Sequence, residues 1–194
     1  MKTKQKKVLI AYGTRYGATE ETAQEIQKIL LKNDFSVTII NLKKVNQNQW
    51  PQISEFSGVI IGSSIKMDTW TKEANLFLQK NAGKFRENQT RLAVFVCSLL
   101  AGNSDTYEHS KQKYVANVLA DYEIPSILYD AFGGLIDFTK QSKIGFFDKI
   151  LGKIGSKMYP ELKAIEIDTK GVTDLRDWNQ INAFGERFVE LMKN

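Results

Sequence analysis

The chain has 194 residues, of which 42% are hydrophobic and 25% are charged, with a formal net charge of +5. This length and composition predict one soluble globular domain over residues 1–194 and exclude a disordered or fibrous chain. Because it has a single cysteine, Cys97, and no apolar stretch of the roughly 20 residues needed to cross a bilayer, the sequence excludes an internal disulfide and indicates a cytoplasmic protein.

Short apolar runs alternate with amphipathic helical patterns along the chain. We predict strands at 7–12, 35–40, 57–62, 91–97 and 126–132, and helices at 19–32, 70–80, 105–120 and 178–192. The expected caps of the last three helices are Asp68 or Thr69, then Asp105, then Asp177. Strands dense in Val, Ile, Leu and Phe are typical of a parallel sheet that is covered by helices on both faces. Segment 41–56 is too short and polar to predict a helix.

The first predicted strand breaks into a loop of glycine and hydroxyl residues, Gly13-Thr14-Arg15-Tyr16-Gly17-Ala18-Thr19, which leads into the first helix. Gly13 and Gly17 permit tight backbone conformations, and the unpaired amides that open the helix can bind a phosphate. The loop lacks the Gly-Lys-Ser/Thr of nucleoside triphosphatases and the G-x-G-x-x-G of dinucleotide sites. It therefore favours a monophosphate ligand. The alternative is an ordinary strand-to-helix turn with Thr19 as the N-cap.

Two further loops begin with small hydroxyl residues where predicted strands end. The run Gly62-Ser63-Ser64-Ile65-Lys66-Met67 follows the third strand, and Ser98-Leu99-Leu100-Ala101-Gly102 follows the fourth. Small side chains let backbone N–H and C=O groups approach the edge of a planar ring closely. Three such loops at matching strand ends favour a ligand site over ordinary loop composition.

The sequence pattern Thr14-x-x-Gly17-x-Thr19 resembles the FMN-phosphate loop of flavodoxins. The loop Gly62 to Lys66, the Gly-Gly-Leu at 133–135, a basic aromatic insertion and Asp177-Trp178 follow in order. This order, over almost the whole chain, resembles the flavodoxin-type, menaquinone-linked protoporphyrinogen dehydrogenases. The resemblance implies an α/β fold, namely a flavodoxin-like doubly wound five-stranded parallel sheet of order 2-1-3-4-5 with helices on both faces, and FMN as the cofactor.

By this resemblance three groups of residues contact FMN. The residues that contact the phosphate are Thr14, Arg15, Tyr16, Gly17, Ala18 and Thr19. One side of the flavin ring is contacted by Ser63, Ser64, Ile65, Lys66 and Met67. The other side is contacted by Ser98, Leu99, Leu100, Ala101 and Gly102. Flavodoxins often place an aromatic ring against the flavin. Here Met67 takes that place, with Tyr107 and Trp70 as further candidates, although Trp70 is equally interpreted as a core residue at a helix start.

No side chain of the sequence is predicted to be catalytic, and no metal site is predicted. His109 is the sole histidine, so it lacks companions for a metal centre or a catalytic triad, and we expect it at the surface. Cys97 lies in an apolar run and is predicted to be a buried structural thiol. If the protein is an enzyme, we expect the flavin, and not a side chain, to perform the redox reaction.

A basic amphipathic insertion is predicted at about 136–163, before the C-terminal helix. Lys149, Lys153 and Lys157 line one helical face, and the apolar residues on another face are Ile144, Phe147, Ile150, Leu151, Ile154 and Met158. The apolar face either packs on the domain, or the segment contacts anionic lipid at the inner face of the membrane or an acidic partner. Lysines of this segment and of residues 1–7 account for the positive net charge, and their local placement indicates no nucleic-acid partner.

Two principal functions fit these patterns. The first is an FMN-dependent oxidoreductase of the protoporphyrinogen dehydrogenase type, which takes electrons from an apolar, carboxylate-bearing substrate and passes them to a quinone. The alternative is a soluble flavodoxin that carries single electrons between redox partner proteins, docking them through its lysines. A third interpretation, an NADPH-quinone reductase of the related class, lacks an identifiable nicotinamide site.

Overall fold

A computed structural model of the protein describes residues 5–87, 90–125, 128–139, 165–168 and 170–193. The strands of its main sheet are Lys7–Gly13 (β1), Ser36–Asn41 (β2), Gly58–Ser64 (β3), Arg91–Ser98 (β4) and Leu128–Gly133 (β5). All pairings are parallel, and the order is β2-β1-β3-β4-β5, which confirms the expected doubly wound fold. A short antiparallel pair that the sequence patterns do not predict, Leu135–Asp137 (β6) and Val172–Asp174 (β7), follows β5.

The helices of the described residues lie close to their predicted positions, except that the second one, predicted at 70–80, extends six residues further. They are Ala18–Lys32 (α1), Lys72–Arg86 (α2), Ser104–Lys111 (α3), Asn117–Asp121 (α4) and Trp178–Lys193 (α5). The predicted helix 105–120 is a continuous run in which a π-helical turn, Gln112–Ala116, joins α3 to α4. Segment 41–56 contains only two short 3-10 turns, Gln47–Gln49 and Ile53–Glu55.

The cap predicted for the second helix, Asp68 or Thr69, is wrong. At these residues the chain is still in a tight turn, because Thr69 exchanges backbone hydrogen bonds with Lys66 and Asp68 has a φ of 60°. The helix begins after Thr71, whose Oγ1 accepts a hydrogen bond from the Ala74 amide at 3.4 Å. Tertiary contacts of the turn therefore delay the start of α2.

The other predicted caps have mixed outcomes. Asp105 lies inside α3, and the cap is the extended residue Asn103, whose Oδ1 accepts from the Asp105 amide at 2.8 Å. Asp177 is confirmed, since its Oδ1 accepts from the amides of Asn179 at 2.8 Å and Gln180 at 3.3 Å. Thr19 lies within α1 and is not its N-cap.

Both faces of the sheet are buried, as the apolar strands predict. Alternate residues of β1 enter separate cores: Val8 and Ile10 pack on the side of α1 and α5, and Leu9 and Ala11 on the side of α2 and the π-turn. All four are fully buried, so hydrophobic burial on two faces holds β1 between β2 and β3 inside the sheet. The strand delivers its loop rigidly to the carboxyl edge of the sheet.

Part of the sequence prediction lies outside the described residues. This applies to residues 126–127 of the predicted fifth strand and to residues 140–163 of the predicted insertion. It also applies to Lys149, Lys153 and Lys157, on which the predicted membrane contact depends. That contact stays a prediction.

Candidate cofactor site

The three predicted loops meet at the carboxyl edge of the sheet. Gly13 is in register with Ser63, and Ser98 with Gly133. The amide of Ile65 donates to the Cys97 carbonyl at 2.9 Å, which joins the loop after β3 to the end of β4. We call residues 14–19 the phosphate loop and residues 64–70 the ring loop. Their juxtaposition follows from the parallel sheet order, as the doubly wound fold requires.

The phosphate loop presents unpaired amides at the start of α1. Gly17 has a φ of 112°, a left-handed conformation that favours glycine, and its amide donates to Thr14 Oγ1 at 3.0 Å. The first turn of α1 closes when the Glu21 amide donates to the Gly17 carbonyl at 3.1 Å. The preceding amides, of Ala18, Thr19 and Glu20, therefore have no helical acceptor and form the positive end of the helix dipole. This arrangement suits a phosphate.

Gly13 has a different role from the one expected. Positive φ angles occur among the described glycines at Gly17, and not at Gly13. A Cβ atom at Gly13 would lie 1.9 Å from Thr71 Oγ1 and 2.8 Å from Thr71 Cβ. The missing side chain therefore lets the start of α2 approach the end of β1, directly below the site.

The hydroxyl of Thr19 tests whether the residues of this loop fit a phosphate. The residue is fully buried, and its Oγ1 makes no hydrogen bond within the described part of the chain. It lies near the Cys97 thiol, whose pKa is raised by burial, and the hydroxyls of Thr22 and Thr19 offset part of that rise. A buried hydroxyl without a partner costs about 1–3 kcal/mol. A phosphate oxygen would satisfy it, so the residues present fit the phosphate monoester of FMN.

Two acidic residues in the same turn would repel a phosphate if they were unpaired. The Glu20 carboxylate accepts from Tyr12 Oη at 2.8 Å and pairs with Lys44 at 3.6 Å. Burial, together with this carboxylate, raises the pKa of the Tyr12 phenol. Glu21 pairs with Arg176 at 2.8 Å. Both negative charges beside the phosphate position are thus compensated.

Arg176 belongs to the site, although the sequence analysis missed it. Its side chain is 2% exposed, its guanidinium donates to both oxygens of Asp174 at 2.8 and 2.7 Å, and Nη1 donates to the Ala18 carbonyl at 3.4 Å. Burial lowers the pKa of Arg176, but the carboxylates of Asp174 and Glu21 outweigh burial and raise it. Arg176 lies 158 positions from Ala18. The charged run 174–177 before α5 is the signal that could have indicated it.

The ring loop contains a tight two-residue turn. Lys66 and Thr69 exchange backbone hydrogen bonds, each of 3.1 Å, and both intervening residues are left-handed, Met67 with φ 47° and Asp68 with φ 60°. Met67 lies at the tip and is 58% exposed. Its side chain is therefore free of the core.

The turn is anchored to the π-helical segment between α3 and α4. Asp68 accepts from Tyr114 Oη at 2.5 Å and pairs with Lys113 at 2.9 Å. Burial raises the pKa of the Asp68 carboxyl, but these two partners outweigh burial and hold the pKa below its usual value. Trp70 is buried, and its Nε1 donates to the Tyr114 carbonyl at 2.7 Å. Trp70 is thus a core residue, as one of the two interpretations expected.

The remaining predicted site residues divide by their burial. Ser63 is buried, and its Oγ accepts from the Thr71 amide at 2.9 Å, so this hydroxyl ties β3 to the start of α2. Ser98, Leu100 and Ala101 are buried at the end of β4. Ser64, Ile65, Lys66 and Leu99 are half-buried, and Gly102 is exposed.

An apolar cluster borders the phosphate loop. Tyr16 and Leu99 pack against Ile136 and Phe138 of the β6 region, and Tyr16 Oη accepts from Lys66 Nζ at 3.1 Å. Tyr107, the other aromatic candidate, is directed elsewhere: its Oη donates to the buried Asp130 at 2.5 Å. The aromatic residue that the structure brings beside the predicted site is therefore Tyr16.

Metal ligands, the cysteine thiol and membrane spans are the remaining features of the described residues. They contain no group of three or more His, Cys, Asp and Glu side chains that could hold a metal ion, and His109 is exposed. Burial raises the pKa of the Cys97 thiol to about 11, which keeps it protonated and unreactive at neutral pH. In the described ranges no helix combines the length and hydrophobicity required of a membrane span.

Comparisons with known proteins define the class. The flavodoxin domain model matches residues 9–159, so the chain belongs to the flavodoxin family. Members of this family bind FMN, which confirms the cofactor expected from the sequence. The protein is a flavodoxin-fold redox protein.

One curated relative resembles the chain along nearly its full length. The chain is 22% identical over 185 residues to the protoporphyrinogen IX dehydrogenase (quinone) of Escherichia coli strain K12. The match covers 95% of this chain and 96% of that protein.

Solved structures share the fold at low identity. A flavodoxin from the domain Archaea has a TM-score of 0.54 at 12% identity, covering 97% of this chain and 99% of that one. The flavodoxin of Streptococcus pneumoniae TIGR4 has a TM-score of 0.54 at 12% identity, covering 96% of this chain and 97% of that flavodoxin. Rubredoxin oxygen:oxidoreductase of Desulfovibrio gigas has a TM-score of 0.59 at 15% identity. The match covers 96% of this chain and 36% of the oxidoreductase. At these identities the likeness shows the fold alone.

Proposed function

We propose that the protein is an FMN-dependent dehydrogenase that passes electrons from a porphyrinogen-type substrate to a quinone. The observation that carries the proposal is the end-to-end match to a protoporphyrinogen IX dehydrogenase (quinone), which covers 95% of this chain and 96% of that protein. A match confined to the flavodoxin domain would support electron carriers equally.

The side chains of this protein have distinct tasks in the proposed site. The first turn of α1 and the Thr19 hydroxyl bind the phosphate, and Arg176 compensates the acid beside it. The ring loop orients the flavin. Bound FMN supplies the capacity to accept electrons from an organic substrate and donate them to a quinone.

The surroundings of the site support an apolar substrate that carries carboxylates. Tyr16, Leu99, Ile136 and Phe138 form an apolar cluster beside the phosphate loop. Lys66 brings a positive charge to the same cluster through its hydrogen bond to Tyr16. Apolar walls bind a macrocycle and exclude water, and a cation favours carboxylates.

The test is anaerobic oxidation of protoporphyrinogen by the FMN-loaded protein with a soluble naphthoquinone as acceptor. We expect fluorescent protoporphyrin to appear at a rate that depends on both protein and quinone, with free FMN plus quinone as the control. Protein that binds FMN but does not exceed this control contradicts the proposal. If the same protein exchanges electrons rapidly with a flavodoxin reductase, the alternative of a one-electron carrier is favoured.

Contact with the inner face of the membrane is part of the same proposal. Combined replacement of Lys149, Lys153 and Lys157 by Glu should abolish cosedimentation of the full chain with anionic liposomes. Neutral liposomes are the control. If the triple variant sediments with anionic liposomes as the wild type does, the three lysines do not bind the membrane. The proposed redox reaction with a quinone would then not depend on this contact.

A further inference from the structure

We propose that Arg15 is a positioning residue that holds the ring loop in its flavin-binding shape, and not a ligand of the phosphate. The inference rests on the proposed FMN site, and it names which end of the cofactor this arginine serves. Arg15 lies within the phosphate loop, between Thr14 and Gly17. Its position in the sequence alone favours a phosphate contact.

The guanidinium of Arg15 is directed at the ring loop. Nη1 donates to the Ser64 carbonyl at 2.6 Å and to Ser64 Oγ at 3.3 Å, and also to the Thr69 carbonyl at 3.3 Å. Nη2 donates to the Trp70 carbonyl at 2.8 Å. One side chain thus joins Ser64, at the end of β3, to Thr69, which closes the turn, and to Trp70, which follows it. Arg15 closes the base of the ring loop.

The turn needs such support because its backbone is strained. Met67 and Asp68 both have positive φ angles, which side chains other than glycine rarely adopt. Strained conformations of this kind persist only where surrounding contacts hold them. Tyr114 and Lys113 hold the turn through Asp68 on one side. Arg15 holds it through three backbone carbonyls on the other.

The planar guanidinium is suited to this task. It presents several N–H donors in a rigid fork, so that it can serve carbonyls on both strands of the turn at once. The ammonium of a lysine is a compact charge on a flexible stem and cannot reproduce this geometry. A residue that serves only as a positive charge for a phosphate would tolerate lysine. The two roles of Arg15 therefore predict opposite results for Arg15→Lys.

The experiment compares the dissociation constants of FMN and of riboflavin, which lacks the phosphate. The proteins are the full-length wild type, Arg15→Gln, Arg15→Lys and the control Thr19→Val. We expect both Arg15 variants to lose about tenfold in affinity for each flavin, so that the FMN-to-riboflavin ratio is unchanged. Thr19→Val should lower the affinity for FMN and spare riboflavin. The visible spectrum of the bound flavin should change in the Arg15 variants and not in Thr19→Val.

Two results would overturn the assignment. One is a loss of FMN affinity in Arg15→Gln with riboflavin affinity retained and with rescue by Arg15→Lys, which identifies a phosphate ligand. The other is an unchanged affinity for both flavins. If Arg15→Gln does not fold, the absolute affinities of Arg15→Lys decide: a loss for both flavins supports the positioning role, and wild-type affinity for both overturns it. A wild-type protein that binds neither flavin refutes the FMN site itself, whereas a flavin-binding protein inactive on porphyrinogen refutes only the proposed reaction.

Discussion

The phosphate loop and the ring loop lie side by side, yet they are held in opposite ways. In the phosphate loop the Gly17 amide bonds to Thr14, three positions away, and the remaining donors open the next helix. The ring loop depends on Arg15, 49 to 55 positions away, and on Tyr114, 46 positions away. A phosphate can be bound by local backbone geometry. A turn beside a planar ring needs tertiary support.

The largest effect is expected at Gly13, where a substitution should lower the free energy of unfolding. Gly13 directly precedes the phosphate loop and contacts Thr71, which directly follows the ring loop. The added Cβ in Gly13→Ala would lie 1.9 Å from Oγ1 of Thr71, the residue that follows the ring loop and caps α2. Overpacking of this kind costs about 1–3 kcal/mol of unfolding free energy. Urea unfolding measures the loss. Gly83→Ala is the control: its Cβ meets nothing within 4 Å, so this helical substitution should stabilise the protein by about 0.5–1 kcal/mol.

The double variant Gly13→Ala/Thr71→Gly sharpens this result. Removing the Thr71 side chain removes the clash, but it also removes a buried methyl group and the 3.3 Å contact between Thr71 Oγ1 and Ser63 Oγ. Thr71→Gly alone is therefore the reference, and Gly13→Ala should cost less stability in that background than in the wild type. An equal cost in both backgrounds would mean that contact with Thr71 is not what requires a glycine at position 13.

The next largest effect concerns the phosphate loop alone. Thr19→Val keeps the shape of the side chain and removes the unpartnered hydroxyl, so it should lower FMN affinity about tenfold or more, as expected for a hydrogen bond to a charged group. The matched control is Thr22→Val, one turn further along α1, whose equally buried hydroxyl lies 3.6 Å from Cys97 Sγ. Flavin fluorescence titration measures both. Equal losses in the two variants would show that the Thr19 hydroxyl does not contact the phosphate.

The smallest effect is expected in the ring loop, at the half-exposed Asp68. Asp68→Asn removes its ion pair with Lys113, which should cost under about 1 kcal/mol at neutral pH. Because the folded-state pKa of Asp68 is lowered, its stabilisation is complete above the usual carboxyl value of about 3.9 and is lost as the pH falls through the folded-state value.

Thermal unfolding as a function of pH checks this effect. The difference in Tm between the wild type and Asp68→Asn should be largest near neutral pH and should vanish in acid. Asp121→Asn, which neutralises an exposed carboxylate at the end of α4, is the control and should show a smaller difference. A difference for Asp68→Asn that persists at low pH would contradict an ionic origin.

Much of the fold could be predicted from local pattern. The five strands of the main sheet begin and end within about two residues of their predicted limits, because strands buried on both faces need continuous apolar runs. The phosphate loop was predictable for a similar reason. A glycine at a left-handed position and the start of a helix can both be recognised from a few neighbouring residues of the sequence.

The features that could not be predicted are those made by distant contacts. The short pair β6 and β7 joins the start of the predicted insertion to residues that follow it, and three-residue strands carry too little pattern to be recognised. The start of α2 lies at Lys72, later than predicted, because the residues before its cap Thr71 bond to Arg15 and Tyr114. Similarly, Arg176 reaches the phosphate loop only after β7 is placed beside α1.

Residue pattern alone was therefore sufficient to locate the strands, the approximate positions of the helices and the phosphate loop, since each depends on burial or backbone conformation within one element, whereas the order of the sheet came from the family resemblance. Folding in three dimensions decided the partner of Arg15, the burial of Trp70 and the pairing of Glu21 with Arg176. These contacts join side chains that are far apart in the chain. A long, flexible cation can reach many acceptors, and only the packed structure selects among them.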